Sequence, residues 1–292
     1  MNIVNPFETD GVWLKANLHS HTTKSDGDTE PQQRVAQYAE AGYDVLAITD
    51  HRVVTSIDSL DAKGMTLLRS LEAHPTCPGG PVYHLVCLNV DPDFSYDEDQ
   101  RANDMIESVR QHGGEVIVGH PYWCGHTVQQ ILALRNVVGL EVYNATCHKK
   151  GKADSTTFWD YLLATGNMFP AIAVDDVHRG RDIFMGWTMI RADSSSSDDV
   201  MQALKRGSHY STCGPEFVDL QYEGETLSVS TSPVMEIGFI CDGPKGKNVR
   251  ADEGSTLNAA SFSPPDSAEY VRVQLEDEKG DRAWLNPFCI RS

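Results

Sequence analysis

The chain is 292 residues long, with 40% hydrophobic and 23% charged residues, a balance that supports a sizeable core and excludes a disordered segment. Its formal charge of -18 is spread over both halves rather than gathered in a tail, and so negative a surface argues against general nucleic-acid binding. The opening MNIVNPFETD lacks a basic region followed by an apolar stretch, and no run approaches membrane-spanning length. The seven cysteines are scattered without any CxxC spacing, so a cytoplasmic protein with reduced thiols and no membrane association is expected.

An apolar run, Leu14 to Leu18, ends in His19-Ser20-His21, where the alternation of an extended chain turns both imidazoles toward one point. Asp26 follows in a Gly/Asp-rich loop. A helix is predicted next, with Thr29 as cap, Gln32 as its capping-box partner, Pro31 in the first turn, Val35, Tyr38 and Ala39 as the apolar stripe and Gly42 as the stop. The run Val45 to Ile48 ends in Thr49-Asp50-His51 and completes a β-α-β unit with ligand-type side chains beyond both strands. Asp58 to Leu71 is weakly helical in pattern and leads to Glu72, and Val82 to Val90 alternates as a strand that carries His84.

The cycle then repeats. A helix from Ala102 to Gln111 precedes a strand, Val116 to Val118, that runs into Gly119-His120-Pro121. Helices are predicted at Val128 to Leu134, Thr156 to Ala164 and Asp198 to Arg206. Strands are predicted at Val137 to Tyr143, which carries Glu141 and ends at Asn144, at Ala171 to Val174, which ends in Asp175-Asp176-Val177-His178, and at Trp187 to Ile190. Such alternation points to a parallel barrel over residues 1–213. After Cys213 the helical period disappears, and short alternating stretches (Phe217 to Tyr222, Thr226 to Val229, Glu236 to Cys241, Tyr270 to Leu275, Arg282 to Leu285) predict a small antiparallel β module over residues 214–292.

Six of the 11 histidines (His19, His21, His51, His84, His120, His178) fall at or near predicted strand ends, together with Asp26, Glu72 and Asp176. Ligand-type residues gathered at one end of successive strands indicate a metal centre. His74, His112, His126, His148 and His209 lack that placement and are read mostly as loop residues, with His148 and His209 as candidates to line a substrate pocket. Arg179, Arg181, Arg52, Lys24 and Lys149 stand beside ligand motifs and are candidates to pair with a phosphate or carboxylate, and Tyr122-Trp123 is a candidate to stack on an organic leaving group.

The ordered set HxH (His19, His21), Asp26, TDH (His51), Glu72 in LEA, His84 in YHLV, GHP (His120) and DxH (Asp176, His178) resembles the PHP (polymerase and histidinol phosphatase) family of metal-dependent phosphoesterases over roughly Lys15 to Gly214. The ending YVRVQLEDEKGDRAWLNPF resembles the C-terminal module of its carbaryl-hydrolase-like branch. The resemblance implies an α/β fold, a distorted (β/α)7 TIM-like barrel, with two or three divalent metal ions, manganese, zinc or iron. His19, His21, Glu72 and Asp176 would hold the first ion, Glu72 would bridge to a second held by His84 and His120, and Asp26, His51 and His178 would hold the third. Asp26 stands where many relatives have histidine, which tilts that position toward a harder ion such as manganese or magnesium.

Water held between the first two ions would be the nucleophile on a small phosphate ester, so Glu72, Asp176 and His178 count as catalytic. Arg179, Lys24, Arg52, Asn144, His148 and Tyr122 are the expected substrate contacts, and Asp50 and Asp175 are expected to orient ligand imidazoles from behind. The same centre would also serve hydrolysis of carboxylic or carbamate esters. A non-catalytic metal-binding module and an exonuclease are weaker alternatives.

Overall fold

A computed structural model of the chain describes residues 4–290. In chain order its first part holds β1 (Val12–Asn17), α1 (Pro31–Glu40), β2 (Val45–Ile48), β3 (Thr66–Arg69), β4 (Leu71–Ala73), β5 (Leu85–Leu88), α2 (Ala102–Gln111), β6 (Glu115–Val118), α3 (Pro121–Cys124), α4 (Val128–Leu132) and β7 (Gly139–Asn144). It continues with α5 (Thr156–Leu163), β8 (Ala171–Val174), β9 (Trp187–Ala192), α6 (Ser197–Arg206) and β10 (His209–Thr212). The second part is all strand: β11 (Phe217–Glu223), β12 (Thr226–Val234), β13 (Glu236–Cys241), β14 (Gly246–Arg250), β15 (Leu257–Phe262), β16 (Tyr270–Glu276), β17 (Arg282–Leu285) and β18 (Phe288–Cys289).

These strands form three sheets. A five-stranded sheet runs β4-β5-β6-β7-β8, a three-stranded one β11-β12-β15, and a ten-stranded one β14-β13-β16-β17-β10-β9-β1-β2-β3, with β18 attached to β16. The parallel pairs are β1 with β2, β2 with β3, β6 with β7 and β7 with β8. The protein is therefore mixed α/β, and the expected all-parallel pattern is corrected: β4, β5, β9 and β10 pair antiparallel with their neighbours. The sheets do not close into one continuous barrel. Two isolated parallel bridges, Ser20 to Val177 and His51 to Glu72, join them, and both fall where ligand-type residues gather.

Between the two large sheets lies one apolar cluster fed by alternate residues of seven strands: Leu14 and Ala16, Val45 and Ala47, Leu68, Val86 and Leu88, Ile117, Ile172 and Val174, Ile190 and Ala192. Helix α6 seals this cluster with Val200, Met201, Ala203 and Leu204. The helix is well punctuated. The Ser196 hydroxyl accepts from Asp199 N, acidic residues occupy the first turn and basic residues the last, and Gly207 ends it at φ +69°.

Several local expectations are corrected. Asp58 to Leu71 is turn followed by strand, because Met65 and Leu68 bury on opposite sides of a stretch that pairs parallel with β2. Thr29 does not cap α1: its hydroxyl donates to Asp28 Oδ1, Glu30 is the cap residue, and the Gln32 side chain bonds Asp61 instead. Strands β14 and β15 escape sequence reading because most of their side chains are polar or solvent-facing. After Cys213 the strands pair antiparallel, and β17 pairs with β10, so the ten-stranded sheet runs unbroken into this region. Arg272 grips Asp160 of α5 through two nitrogens, at 2.6 and 2.8 Å, and Arg282 reaches Asp154. Among the described residues no helix is long and apolar enough to cross a membrane.

Candidate metal centre

The centre is assembled at the ends of β1, β2, β4, β6 and β8. Backbone bonds stitch these ends together: Asp176 N donates to His19 O, His21 N to Val177 O, and Glu72 N to Thr49 O. Arg34 of α1, fully buried, donates through Nε to His21 O and fixes the loop behind the HxH motif. A Cβ on Gly27 would stand 2.6 Å from His21 backbone atoms, so only glycine lets the Asp26 loop fold this closely over the histidines. Two ligand-type residues take left-handed backbone, His120 at φ +23° and Asp176 at φ +52°. Non-glycine residues rarely adopt this region, and strain of this kind gathers at functional sites.

Four donor atoms converge at the deepest point. His19 Nε2 and His21 Nε2 are 3.1 Å apart, Asp176 Oδ1 lies 3.3 and 2.9 Å from them, and Glu72 Oε2 lies 3.4 and 3.5 Å from them. A tetrahedron built on bonds of about 2 Å has edges of roughly 3.3 Å, so the spacing suits a small divalent ion. Glu72 Oε2 and Asp176 Oδ1 are buried and make no hydrogen bond of good geometry among the described residues; imidazole nitrogens approach them instead, His51 Nδ1 at 2.7 Å from Glu72 Oε2 and His21 Nε2 at 2.9 Å from Asp176 Oδ1. Imidazole nitrogens and carboxylate oxygens crowded this closely in a buried site fit a metal that takes their lone pairs.

The other Glu72 oxygen, Oε1, faces His84 Nδ1 at 2.5 Å and His120 Nε2 at 3.3 Å. Nearer the solvent, Asp26 Oδ1 faces His51 Nε2 at 3.4 Å, His178 Nε2 at 3.3 Å and His21 Nδ1 at 3.9 Å. All nine sequence-derived ligand candidates are therefore brought together. Burial favours protonation of Glu72 and Asp176, but the surrounding imidazoles hold both carboxylates well below their ordinary range. Burial, with His19 beside it, pushes His21 down to about 4, while His19, despite burial, is held well above its ordinary value by Asp176, Glu141 and Glu72.

The residues behind the ligands differ from expectation. Glu141, not Asp50 or Asp175, orients an imidazole: its Oε1 sits 2.6 Å from His19 Nδ1, while its Oε2 accepts from His120 N and Asn144 Nδ2. Holding the proton on Nδ1 leaves His19 Nε2 free for a cation. Asp50 instead accepts from Thr22 and Ser25, and Asp175 from Tyr38 and the backbone of residues 184–186, so both anchor loops. His74, read as a loop residue, is buried with its Nε2 3.2 Å from His51 Nδ1 and 3.7 Å from Glu72 Oε2. Cys124 Sγ lies 3.4 Å from His120 Nδ1. Glu141 and Cys124 carried no strand-end signal. The spacing Glu72-x-His74 in an extended segment was the one clue to His74, since it places both on one face.

A cavity of about 370 Å³ opens above the centre, lined by Asp26, His51, His84, His120, Asp176 and His178 below and by Trp123, Thr146, Lys149, Lys150, Arg179 and Arg181 at the rim. Of the expected substrate contacts only Arg179 lines it. Lys24 borders a different hollow, Arg52 pairs with Glu98, and Asn144 is buried, bonding Glu141 and Asp176. His148 is exposed away from the cavity, and Tyr122 sits under Lys152 while its neighbour Trp123 forms the wall, edge-on to His84 and His120.

The whole architecture superposes on a two-domain protein from Bacteroides vulgatus that contains a predicted PHP-like metal-dependent phosphoesterase, with TM-score 0.58, 15% identity, and coverage of 95% of this chain and 94% of that one. The chain has a PHP-like fold. A candidate metal-dependent phosphoesterase from Bifidobacterium adolescentis aligns with TM-score 0.43 and 17% identity over 56% of this chain and 87% of its own. In sequence, 81 residues are 36% identical to a 5'-3' exoribonuclease from Haemophilus influenzae, covering 26% of this chain and 29% of that protein, so the match spans under a third of the relative's length. No family model matches the chain. The gathering of ligands at one end of the strands, and the roles of Glu141 and His74, are read from the geometry of this chain.

Proposed function

We propose that the chain is a metal-dependent hydrolase of a small phosphate ester, with the centre described above as its active site. The carrying observation is the pair of buried carboxylates, Glu72 and Asp176, ringed by imidazole nitrogens at 2.5–3.5 Å at the floor of a cavity whose rim is cationic. The description of the Bacteroides vulgatus protein as phosphoesterase-containing supports the same chemistry. His19, His21, Glu72 and Asp176 would hold one ion, Glu72, His84 and His120 a second, and Asp26, His51 and His178 a third, with manganese, zinc or iron all compatible with these donors. Such ions, when bound, supply a nucleophile from water near neutral pH and neutralise charge that builds on the phosphoryl oxygens.

The chain's own residues prepare that chemistry. Glu141 keeps the His19 proton on Nδ1, and the Asp176 carbonyl oxygen, 2.7 Å from His178 Nδ1, does the same for His178. Arg179 donates through one terminal nitrogen to Asp26 O and His178 O, which leaves the rest of its fork to pair with a phosphoryl oxygen. Trp123 forms one wall of the cavity, edge-on to His84 and His120. We assign catalysis to residues 1–213, whose strand ends carry the centre, and a buttressing role to 214–292, which grips Asp154 and Asp160 through Arg282 and Arg272. A small ester rather than a nucleic acid is favoured by the charge of -18. The partial similarity to an exoribonuclease keeps hydrolysis at an RNA end as the second reading.

The test is a panel on manganese-reconstituted protein: a nitrophenyl phosphate monoester, its diester, a naphthyl carbamate and a short oligoribonucleotide. Chelator-sensitive turnover of a phosphate ester is the expected result. Carbamate cleavage alone would replace this reading with the carbamate one, and oligonucleotide trimming that falls steeply with salt would promote the second.

A further inference from the structure

Four cations line the rim of the active-site cavity on a chain whose 42 acidic residues far outnumber its 24 Lys and Arg. Lys149 and Lys150, on a 3-10 turn at Thr146–Lys150, have no ion-pair partner among the described residues. Among the described residues Arg181 reaches only its neighbour Asp182, at 3.6 Å, and is 70% exposed. The Thr146 hydroxyl, 8% exposed and lining the same wall, has no hydrogen-bond partner among the described residues. Three cations on one cavity wall without a strong ion-pair partner indicate a ligand that brings acceptors of its own.

The charge at the floor shows how much of this rim the reacting group can use. Asp26, Glu72, Asp176 and Glu141 contribute four negative charges, which two or three divalent ions would cancel or exceed by about two. A phosphoryl dianion of about -2 is then balanced by the ions alone or by two rim cations. At least two of Lys149, Lys150, Arg179 and Arg181 remain. The cavity, about 370 Å³, is also large enough for more than a phosphate.

We propose that the substrate carries a second anionic group, a carboxylate or another phosphate, held at the rim by Lys149, Lys150 and Arg181 while the reacting phosphate lies at the metal floor beside Arg179. This rests on the phosphate-ester reading and deepens it. Electrostatic focusing explains the arrangement: on a surface this negative, an anion with two charged ends needs a local positive mouth to be drawn in.

The experiment is calorimetric titration of manganese-loaded protein with three non-hydrolysable ligands of one chain length: butylphosphonate, phosphonobutyrate and butane bisphosphonate. Phosphonobutyrate or the bisphosphonate binds about tenfold or more tightly than butylphosphonate, and whichever gains more identifies the second group as carboxylate or phosphate. That gain is lost in Lys149→Ala/Lys150→Ala and reduced in Arg181→Ala, with circular dichroism confirming the fold. Equal binding of all three by the wild-type protein, or a gain that survives in the lysine variant, overturns the inference. If butylphosphonate binds and the second group adds nothing, only this inference fails; if no phosphonate binds at all, the phosphate-ester reading fails with it.

Discussion

Around His19, His21 and Glu72 the side chains are fully buried, and Asp176 is 4% exposed, whereas Asp26, on the solvent side of the same centre, is 57% exposed. The deep seat is held from behind: Glu141 steadies His19, Arg34 pins the backbone of His21, and Asn144 bonds both Glu141 and Asp176. Among the described residues the Asp26 carboxylate meets only imidazoles, from a loop that Gly27 folds back over the histidines. A rigid shell that fixes ligands in advance raises metal affinity, because the protein loses little freedom when the ion arrives. The two seats should therefore differ in how firmly they hold a cation and in how much catalysis depends on them.

The largest effect is expected at Glu72, which faces both deep positions. Glu72→Gln should lower kcat/KM on a phosphate ester by roughly a thousandfold or more, with an unchanged circular dichroism spectrum and a lower metal content by elemental analysis. Wild-type turnover in this variant would remove Glu72 from the centre. Next is Glu141→Gln, which replaces a carboxylate behind His19 with an amide and should weaken metal binding by about 10- to 100-fold in competition with a chelating dye. An unaltered affinity would show that the deep seat does not rely on its backing. The smallest effect belongs to the shallow seat: Asp26→Ala should remove at most one ion per chain and lower turnover by roughly tenfold, since two imidazoles there remain. Loss of every ion in that variant would mean that deep and shallow positions form one cooperative unit.

The same contrast separates what could be read from the chain and what could not. His19, His21, His51, His120, Asp176 and His178 were legible because each follows an apolar run directly, and a strand end is a place that local sequence can mark. Glu141 was visible only as an acidic residue inside a strand, since its partner His19 lies 122 positions away. The substrate wall was less legible still. Lys24, Arg52 and Tyr122 stand beside ligand motifs in sequence, yet side-chain direction turns Arg52 toward Glu98 and presents Trp123 rather than Tyr122 to the cavity.

By itself, then, the sequence determined most helices and strands up to Cys213 (though not β3, β4 or β10), the short alternating strands beyond it, and the set of nine ligand-type residues, because periodicity and strand-end placement are local properties. Tertiary structure decided the antiparallel turns of β4, β5, β9 and β10, the unbroken run of one sheet from β3 to β14, and the partners behind the ligands, His74 and Glu141 among them. Those depend on which distant segments meet. Pairing of strands far apart in the chain is chosen by the burial of whole faces, and no local window of residues carries that information.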